Sequence, residues 1–184
     1  MSIVLQGSTS GSITLQEPAV AGSTVLDLPA VSGTILTTTS PKAGNVIQVV
    51  SATYSTQTTI TSTSYTDTGL QASITPTSSS SKILILVNQA GALRRDSSAE
   101  QSGFANLVRG ATQITQIVQI QRMTGASNQY APYFNGIVYL DSPATTSSTT
   151  YKTQGKVAST ADVGTIYFQV DNLTSTITLL EIAA

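Results

Sequence analysis

Residues branched at the β-carbon constrain the fold of this chain more than any other feature. The 184 residues include 30 Thr, 15 Ile and 14 Val. Such side chains are restricted at χ1 and pack well on a pleated sheet surface. They recur in short runs that are separated by Gly, Pro, Asn and Asp, which is the pattern of strands and turns. The sequence therefore predicts an all-β chain.

The abundance of Ser and Thr admits a second interpretation, because polar sequences of low complexity are often disordered. Leu, Ile, Val and Phe together make up a quarter of the chain, and the formal net charge is only −1. Disordered chains typically hold less than about 20% of these apolar residues and carry a high net charge. The balance of apolar and charged residues therefore favours a folded protein.

The first 41 residues differ from the rest and form a predicted N-terminal arm. The motif Pro18-Ala19-Val20-Ala21-Gly22 returns 11 positions later as Pro29-Ala30-Val31-Ser32-Gly33. Three short β-prone runs, at residues 12–16, 24–28 and 34–38, alternate with these turns. Strands this short cannot bury a core alone, so we expect them to pack on neighbours. An irregular linker is the alternative interpretation of the arm.

Residues 42–184 form the predicted body, in which the β-prone runs are longer and indicate antiparallel strands. Two segments, 99–107 and 112–120, also admit short helices, and the β-branched residues of the second equally favour a bulged strand. The run Ile83-Leu84-Ile85-Leu86-Val87 is continuously apolar and predicts a strand buried on both faces. Turns are predicted at Asp67-Thr68-Gly69, at Pro76 with residues 78–81, at Gly125-Ala126-Ser127-Asn128, at Ser142-Pro143 and at Asp171-Asn172. The predicted strands are residues 46–54, 58–66, 71–75, 82–89, 104–110, 114–122, 133–141, 149–158, 164–171 and 176–182. Such a series favours an antiparallel sandwich, most simply a jelly roll.

The composition excludes several kinds of chemistry. There is no Cys and no His, so disulfides, Cys/His metal sites and Ser/His/Asp triads cannot form. The nine carboxylates are scattered singly, whereas a glycosidase needs two that face each other. The 8 basic residues form no stripe that would neutralise phosphates. We therefore expect no enzyme activity, no cofactor, no metal and no nucleic-acid partner.

Several segments resemble those of phage tail-fibre and head-decoration proteins. The arm carries Gly11-Ser12-Ile13-Thr14-Leu15 and the two Pro-Ala-Val motifs, and the body resembles the trimeric jelly rolls (tumour-necrosis-factor/C1q-like) of the same proteins. The stretch 92–113 departs from the pattern. The body motifs are Tyr65-Thr66-Asp67-Thr68-Gly69-Leu70, Ser80-Ser81-Lys82-Ile83-Leu84-Ile85, Asp141-Ser142-Pro143, Thr150-Tyr151-Lys152-Thr153-Gln154 and Ser175-Thr176-Ile177-Thr178-Leu179-Leu180-Glu181-Ile182.

The resemblance implies a homotrimeric structural protein on the outer surface of a phage particle. One expectation is a capsid decoration, cement or head-fibre protein that attaches to the major capsid protein or another virion protein. The alternative is a short tail-fibre or receptor-binding tip that recognises a host surface glycan or protein. The N-terminus lacks the basic start and long apolar core of a signal peptide, and no apolar run is long enough to span a membrane. We therefore expect synthesis in the host cytoplasm and no membrane insertion.

Two groups of residues are candidate contacts. The arm has apolar residues that no domain of its own can bury, and we expect them to dock on the particle: Ile13, Leu15, Val25, Leu28 and Ile35. Arg94, Arg95 and Asp96 form the densest charge cluster, which is either a solvated loop or an inter-subunit or docking contact. Tyr130, Tyr133 and Phe134 flank Pro132 and are core or interface aromatics, with a sugar platform as the alternative.

Overall fold

The computed structural model describes residues 2–6, 8–16, 42–96, 100–124, 129–158 and 164–184, with the side chains of residues 2, 3, 13, 15, 16 and 116–123 left out. The chain divides into two compact units, residues 1–35 and 36–184. In the first unit, β1 (Ser2–Gln6) and β2 (Ser12–Gln16) pair antiparallel, with Leu5 opposite Ile13. The strand predicted at 12–16 is confirmed. The strands predicted at 24–28 and 34–38, and the predicted boundary at 41/42, lie outside the described residues.

The second unit is an antiparallel β-sandwich, which confirms the predicted fold class. One sheet has the order β5-β10-β7-β8, and the other has the order β3-β12-β6-β11-β4 with β9 added on β6. The strands are β3 (Val46–Tyr54), β4 (Thr58–Ile60), β5 (Thr66–Ile74), β6 (Lys82–Arg95), β7 (Gln101–Arg109), β8 (Thr112–Met123), β9 (Gln129–Asp141), β10 (Thr149–Val157), β11 (Gly164–Phe168) and β12 (Ser175–Ile182). A short 3-10 helix, Val170–Asn172, links the last two strands. None of the helices in these residues is long and apolar enough to cross a membrane.

Strand β6 organises the larger sheet. It pairs with β9 along its whole length, from Ile83 opposite Asp141 to Arg95 opposite Gln129. Its other edge is shared, because residues 82–88 pair with β12 and residues 91–95 pair with β11. The pairing partner of β6 changes from β12 to β11 at Ala90, where the backbone amide and carbonyl bond to groups outside the backbone ladders of both strands. Its amide donates to Ser175 Oγ at 3.0 Å, and its carbonyl accepts from the Gln169 amide at 2.9 Å.

Alternate residues of these strands fill the space between the two sheets. The main core cluster takes Leu70, Ile85, Tyr151 and Leu179 from different strands, each at most 1% exposed. A second cluster lies around Leu93, Ile166 and Phe168. Burying apolar area in this way is the dominant favourable contribution to folding. The alternation that the β-branched pattern predicts is therefore realised on the inner faces of both sheets.

The structure corrects three local predictions. The run from Ile83 to Val87 is not buried on both faces, because Leu86 is 37% exposed on the outer one. Residues 101–107 and 112–120 lie in strands β7 and β8, paired with two register shifts, so the helix in the first segment is wrong and the bulged-strand alternative for the second is confirmed. The strand predicted at 164–171 ends at Phe168, where Gln169 takes a positive φ of 51° and the chain turns.

The predicted turn at Asp67-Thr68-Gly69 is also wrong, because these residues form a bulge inside β5. Opposite Lys152 and Gln154, the register jumps from Gln71 to Asp67. Gly69 has φ +89°, a conformation that side chains disfavour, and a Cβ there would lie 2.2 Å from the Tyr54 ring. Residues that favour a turn form a β-bulge here, because a Gly at positive φ suits a bulge as well as a turn.

Candidate functional site: an outer sheet face and its pocket

The outer face of the larger sheet carries an apolar surface formed by four strands. Val49 of β3, Leu180 of β12, Leu84 of β6 and Leu140 of β9 lie opposite one another in a single cross-strand row. The next row contains Leu86 and Val138. Val138 is 75% exposed and Val49 is 57% exposed. We call this surface, residues Val46, Val49, Leu84, Leu86, Val138, Leu140, Leu180 and Ile182, the apolar face.

Charge is nearly absent from this side of the sheet. Along the described outward-facing positions of β3, β12, β6 and β9, the charged side chains are Lys82 and Arg94, near opposite ends of β6. A solvent-facing strand normally alternates apolar inner residues with polar outer ones. Contiguous exposed apolar surface on a sheet instead marks an interaction site. The apolar face therefore has the composition of an interface centre, which is depleted in charge.

A polar pocket lies on the same side of the sheet, at the other end of β6. Tyr130 of β9 is opposite Arg94 of β6, and Tyr167 of β11 lies one row away beside Ala92. The two tyrosine rings are 6.4 Å apart between centroids and inclined at 50°. The cavity has a volume of about 540 Å³ and is lined by Gln57, Arg94, Asp96, Gln129, Tyr130, Tyr167, Val170 and Asp171. This volume is within the range of small-molecule sites.

Ion pairing and hydrogen bonds fix the charged wall of the pocket. Arg94 Nε donates to Asp96 Oδ1 at 2.7 Å, and the guanidinium also bonds to Tyr167. The bonds to Asp96 and Tyr167 raise the pKa of Arg94 above its ordinary value. Burial raises the pKa of Tyr130, and the neighbouring Asp171 carboxylate raises it further. Both residues therefore keep their protons at neutral pH.

The opposite wall is a turn in a rarely populated backbone conformation. Gln169, Asp171 and Asn172 all have positive φ, between 51° and 59°. The backbone amide of Asp171 donates to Gln57 Oε1 at 3.1 Å. Left-handed conformations of residues other than Gly cost energy and persist only where the surroundings impose them. The turn therefore holds Asp171 in one place at the pocket rim.

A buried polar network supports this turn from behind. The Gln169 side chain is fully buried, and its amide, oriented by its surroundings, accepts from Gln89 Nε2 and donates to the Thr68 carbonyl. Gln89 Nε2 also donates to Ser175 Oγ at 3.0 Å, and its carbonyl oxygen accepts from Thr153 at 2.8 Å. Thr153 in turn bonds to Thr68 at 2.6 Å. A satisfied network of this kind fixes geometry strongly, since each buried group left unpaired would cost free energy.

The structure separates the candidate residues that the sequence singled out. Arg94, Asp96 and Tyr130 come together in the pocket, while Phe134 lies on the outer face of β9, 63% exposed. Arg95 points inward, fully buried, and donates to Gln129 Oε1 at 3.2 Å. Tyr133 is in the core, edge-on to Phe168, with its hydroxyl on the Tyr167 carbonyl. Ile13 and Leu15 lie in β2 without described side chains, and Val25, Leu28 and Ile35 lie outside the described residues.

Sequence analysis identified three of the eight residues that line the pocket. Tyr167 and Gln57 were not identified, and the bend at Asp171-Asn172 was interpreted only as a turn. The lining residues come from β6, β9, β11 and two connections, which pairing across the sheet brings together. No group of three or more potential metal ligands occurs among the described residues. The pocket offers donors, acceptors and two aromatic faces, which is the chemistry of binding.

Comparison with known proteins gives structural similarity without a family. No protein-family profile and no curated protein sequence matches the chain. Among solved structures, it is similar to that of the Gt strain of infectious bursal disease virus (TM-score 0.38, 12% identity), over 98% of this chain and 46% of that one. The Gx strain structure gives a TM-score of 0.38 and 12% identity over 95% and 43%. Derived T=1 particles of the VP2 protein of that virus give a TM-score of 0.36 over the same shares. The chain spans less than half the length of these proteins, and similarity at this level identifies no family.

Proposed function

We propose that this chain is a non-enzymatic structural protein of a virus particle, which assembles into a homotrimer through the apolar face. The observation that carries the proposal is the row Val49, Leu180, Leu84 and Leu140, with its neighbours, on a sheet surface that holds little charge. The phage setting is supported by the resemblance of the arm and body motifs to those of decoration and fibre proteins. The absence of Cys and His from the chain is in keeping with a role that needs no catalysis.

A second copy of the chain is the occupant that best fits the apolar face. Four strands at a spacing of about 4.8 Å span about 19 Å, and the three cross-strand rows of the apolar face, two residues apart along each strand, span about 20 Å. The resulting area is roughly 400 Å² per chain, so three such faces that meet around a three-fold axis would bury about 1,200 Å² in total, near the lower bound for a specific interface. The charged residue beside this surface, Lys82, lies at its edge next to Ile182, so copies that pack through the apolar face bring few like charges together.

The test is the solution mass of the chain and of charge variants in the apolar face. Sedimentation at micromolar concentration should give three times the chain mass of 19.0 kDa. Val138→Asp should reduce the mass to that of one chain, because a carboxylate would be buried without a partner. Leu173→Asp is the matched control, since Leu173 is 44% exposed and lies outside the apolar face. A single-chain mass for the unaltered protein, or a trimer that tolerates Val138→Asp, would refute the proposal.

On the particle, we propose that the chain is a capsid decoration, cement or head-fibre protein at the outer surface, with the major capsid protein or another virion protein as its partner. A tail-fibre or receptor-binding tip is the second candidate, and the pocket beside Tyr130 is the observation that favours it. Imaging of particles with a label on the chain distinguishes the two, because the label would be found on the head or on the tail.

A further inference from the structure

We infer that the pocket between Tyr130, Tyr167 and Asp171 binds a ring of a neutral saccharide. The inference holds for a chain on the head or on the tail, and it does not depend on trimer formation. The pocket and the apolar face lie at opposite ends of β6, since Leu86 and Arg94 are eight residues apart, roughly 27 Å along a strand. A ligand in the pocket would therefore leave the apolar face uncovered.

The two tyrosine rings give the pocket an aromatic corner. Their centroids are 6.4 Å apart and the rings are inclined at 50°, so they do not stack on each other and leave ring surface to a ligand. Tyr130 is 50% exposed although it is a large aromatic residue on a strand. A pyranose ring has one face of C–H groups and an edge of hydroxyl groups. An aromatic wall beside polar groups matches both parts of such a ring.

The polar groups of the pocket suit hydroxyl groups in particular. A hydroxyl both donates and accepts a hydrogen bond, and the lining offers both functions: carboxylates accept, a guanidinium donates, and glutamine amides do both. Arg94 is already oriented by Asp96 and Tyr167. Asp171 is placed by the left-handed turn and by Gln57. Groups that are fixed before a ligand arrives lose little freedom on binding, which favours affinity.

The charges select against other ligands. Asp96 neutralises Arg94, while Asp171 forms no ion pair among the described residues, so the pocket is weakly negative and disfavours an anionic sugar or a phosphate. Two carboxylates are too few for calcium, which takes six to eight oxygen ligands. A cationic peptide side chain would satisfy Asp171 and the rings, but it could not use the Arg94 guanidinium. A neutral ligand with several hydroxyl groups uses all of these residues.

The experiment is binding of the full-length chain to an array of neutral, amino and acidic oligosaccharides, followed by titration of the best neutral probe. A single ring should bind with a dissociation constant of roughly 1 mM, the range expected for a small polar ligand. Tyr130→Ala should weaken binding about tenfold and Asp171→Asn by a similar factor, since each removes a direct contact. Phe134→Ala is the matched control, because Phe134 is an exposed aromatic residue on the same face of β9, outside the pocket.

Several outcomes would overturn the inference. No binding to any neutral probe would do so, and so would binding that Tyr130→Ala leaves unchanged or that Phe134→Ala weakens equally. Periodate opens a pyranose ring that has free vicinal diols, so binding of a monosaccharide probe with such diols that survives complete oxidation would show that an intact saccharide ring is not the ligand. Competition by tetralysine at equal concentration would identify a cationic peptide as the ligand instead. None of these outcomes bears on self-association, which the mass of the Val138→Asp variant tests separately.

Discussion

The Tyr151 hydroxyl donates a 2.7 Å hydrogen bond to Asp141 Oδ2 and so connects β10 of one sheet to β9 of the other. Arg109 completes the group, with its Nη1 at 2.9 and 2.8 Å from the two carboxylate oxygens. Tyr151 is fully buried, and burial together with the Asp141 carboxylate raises its pKa. Asp141, which the sequence suggested only as a residue at a strand end, therefore joins the two layers of the sandwich.

Removal of this connection should destabilise the fold. Tyr151→Phe should lower the free energy of unfolding by about 1–2 kcal/mol, the effect of one buried hydrogen bond to a charged group. Asp141→Asn should cost about 2–3 kcal/mol, less than a fully buried pair because the Arg109 side chain is 31% exposed. Urea denaturation measures both. Asp67→Asn is the control: its carboxylate pairs with Lys152 but is 52% exposed, so its loss should cost under about 1 kcal/mol.

Stability should be nearly constant between about pH 5 and 9 and should fall below about pH 4.5. The chain has no His, so no imidazole titrates in that window. Burial would raise the pKa of Glu181, but hydrogen bonds from Gln48 and Thr77 outweigh burial and hold the pKa below its ordinary 4.5. A lowered pKa in the folded state stabilises the protein above the unfolded value, and this stabilisation is lost as the pH falls through the folded value.

Denaturation of the Glu181→Gln variant across the acid range tests this assignment. The variant should be less stable at pH 7, because Thr77 and Gln48 lose a charged acceptor, and its stability should fall less steeply below pH 4.5. Asp67 also has a lowered pKa, since hydrogen bonds from Lys152 and Gln154 outweigh burial, so some acid sensitivity should remain. An unchanged acid slope would show that Glu181 is not coupled to folding.

Glycines in the sheets should differ sharply in their tolerance of a methyl group. A Cβ at Gly155 would lie 2.2 Å from the Phe168 ring, whereas the nearest atom to a Cβ at Gly136 is 4.0 Å away. Gly155→Ala should therefore lower the free energy of unfolding by about 2–3 kcal/mol through overpacking. Gly136→Ala should be neutral or slightly stabilising, since the strand loses less conformational freedom on folding. Equal midpoints in thermal denaturation would contradict this difference.

A chain that begins at Lys42 should fold and trimerise but should no longer attach to particles. The start of the body is tied to its C-terminal end: the Gly44 amide donates to Ala183 O at 2.8 Å, and the Ala183 amide donates to Asn45 O at 2.9 Å. We predict that five apolar side chains of the arm pack on a partner: Ile13, Leu15, Val25, Leu28 and Ile35. Burial of each should contribute about 1.5–3 kcal/mol to attachment, and three arms would add avidity. Co-sedimentation with particles measures attachment. If the shortened chain binds particles as well as the full chain does, the docking surface lies on the body.

Local pattern predicted the strands better than it predicted what they face. Alternation and turn residues located β3 and β10 closely, because those strands bury one face and expose the other. The continuous run at Ile83 to Val87 was misinterpreted, since sequence alone cannot tell a strand that is covered on both faces from one whose outer face is exposed. The pocket was identified only in part, for a related reason. Tyr130 and Arg94 stood out locally, but their proximity to Tyr167 and Asp171 depends on pairing across three strands.

The shared edge of β6 has a consequence for how the sandwich opens. Separate strands cover the two halves of that edge, so the β11 half can detach while β12 remains paired, with Ala90 at the division. Local opening of this kind follows the hydrogen-bonded units of a structure rather than the whole fold. Amide protons of β6 that bond to β11 are therefore expected to exchange separately from those that bond to β12, whereas those that bond to β9 belong to a pairing that spans both halves. The pocket lies beside the β11 half and the apolar face beside the β12 half, so opening at β11 would disturb the pocket and leave the apolar face paired.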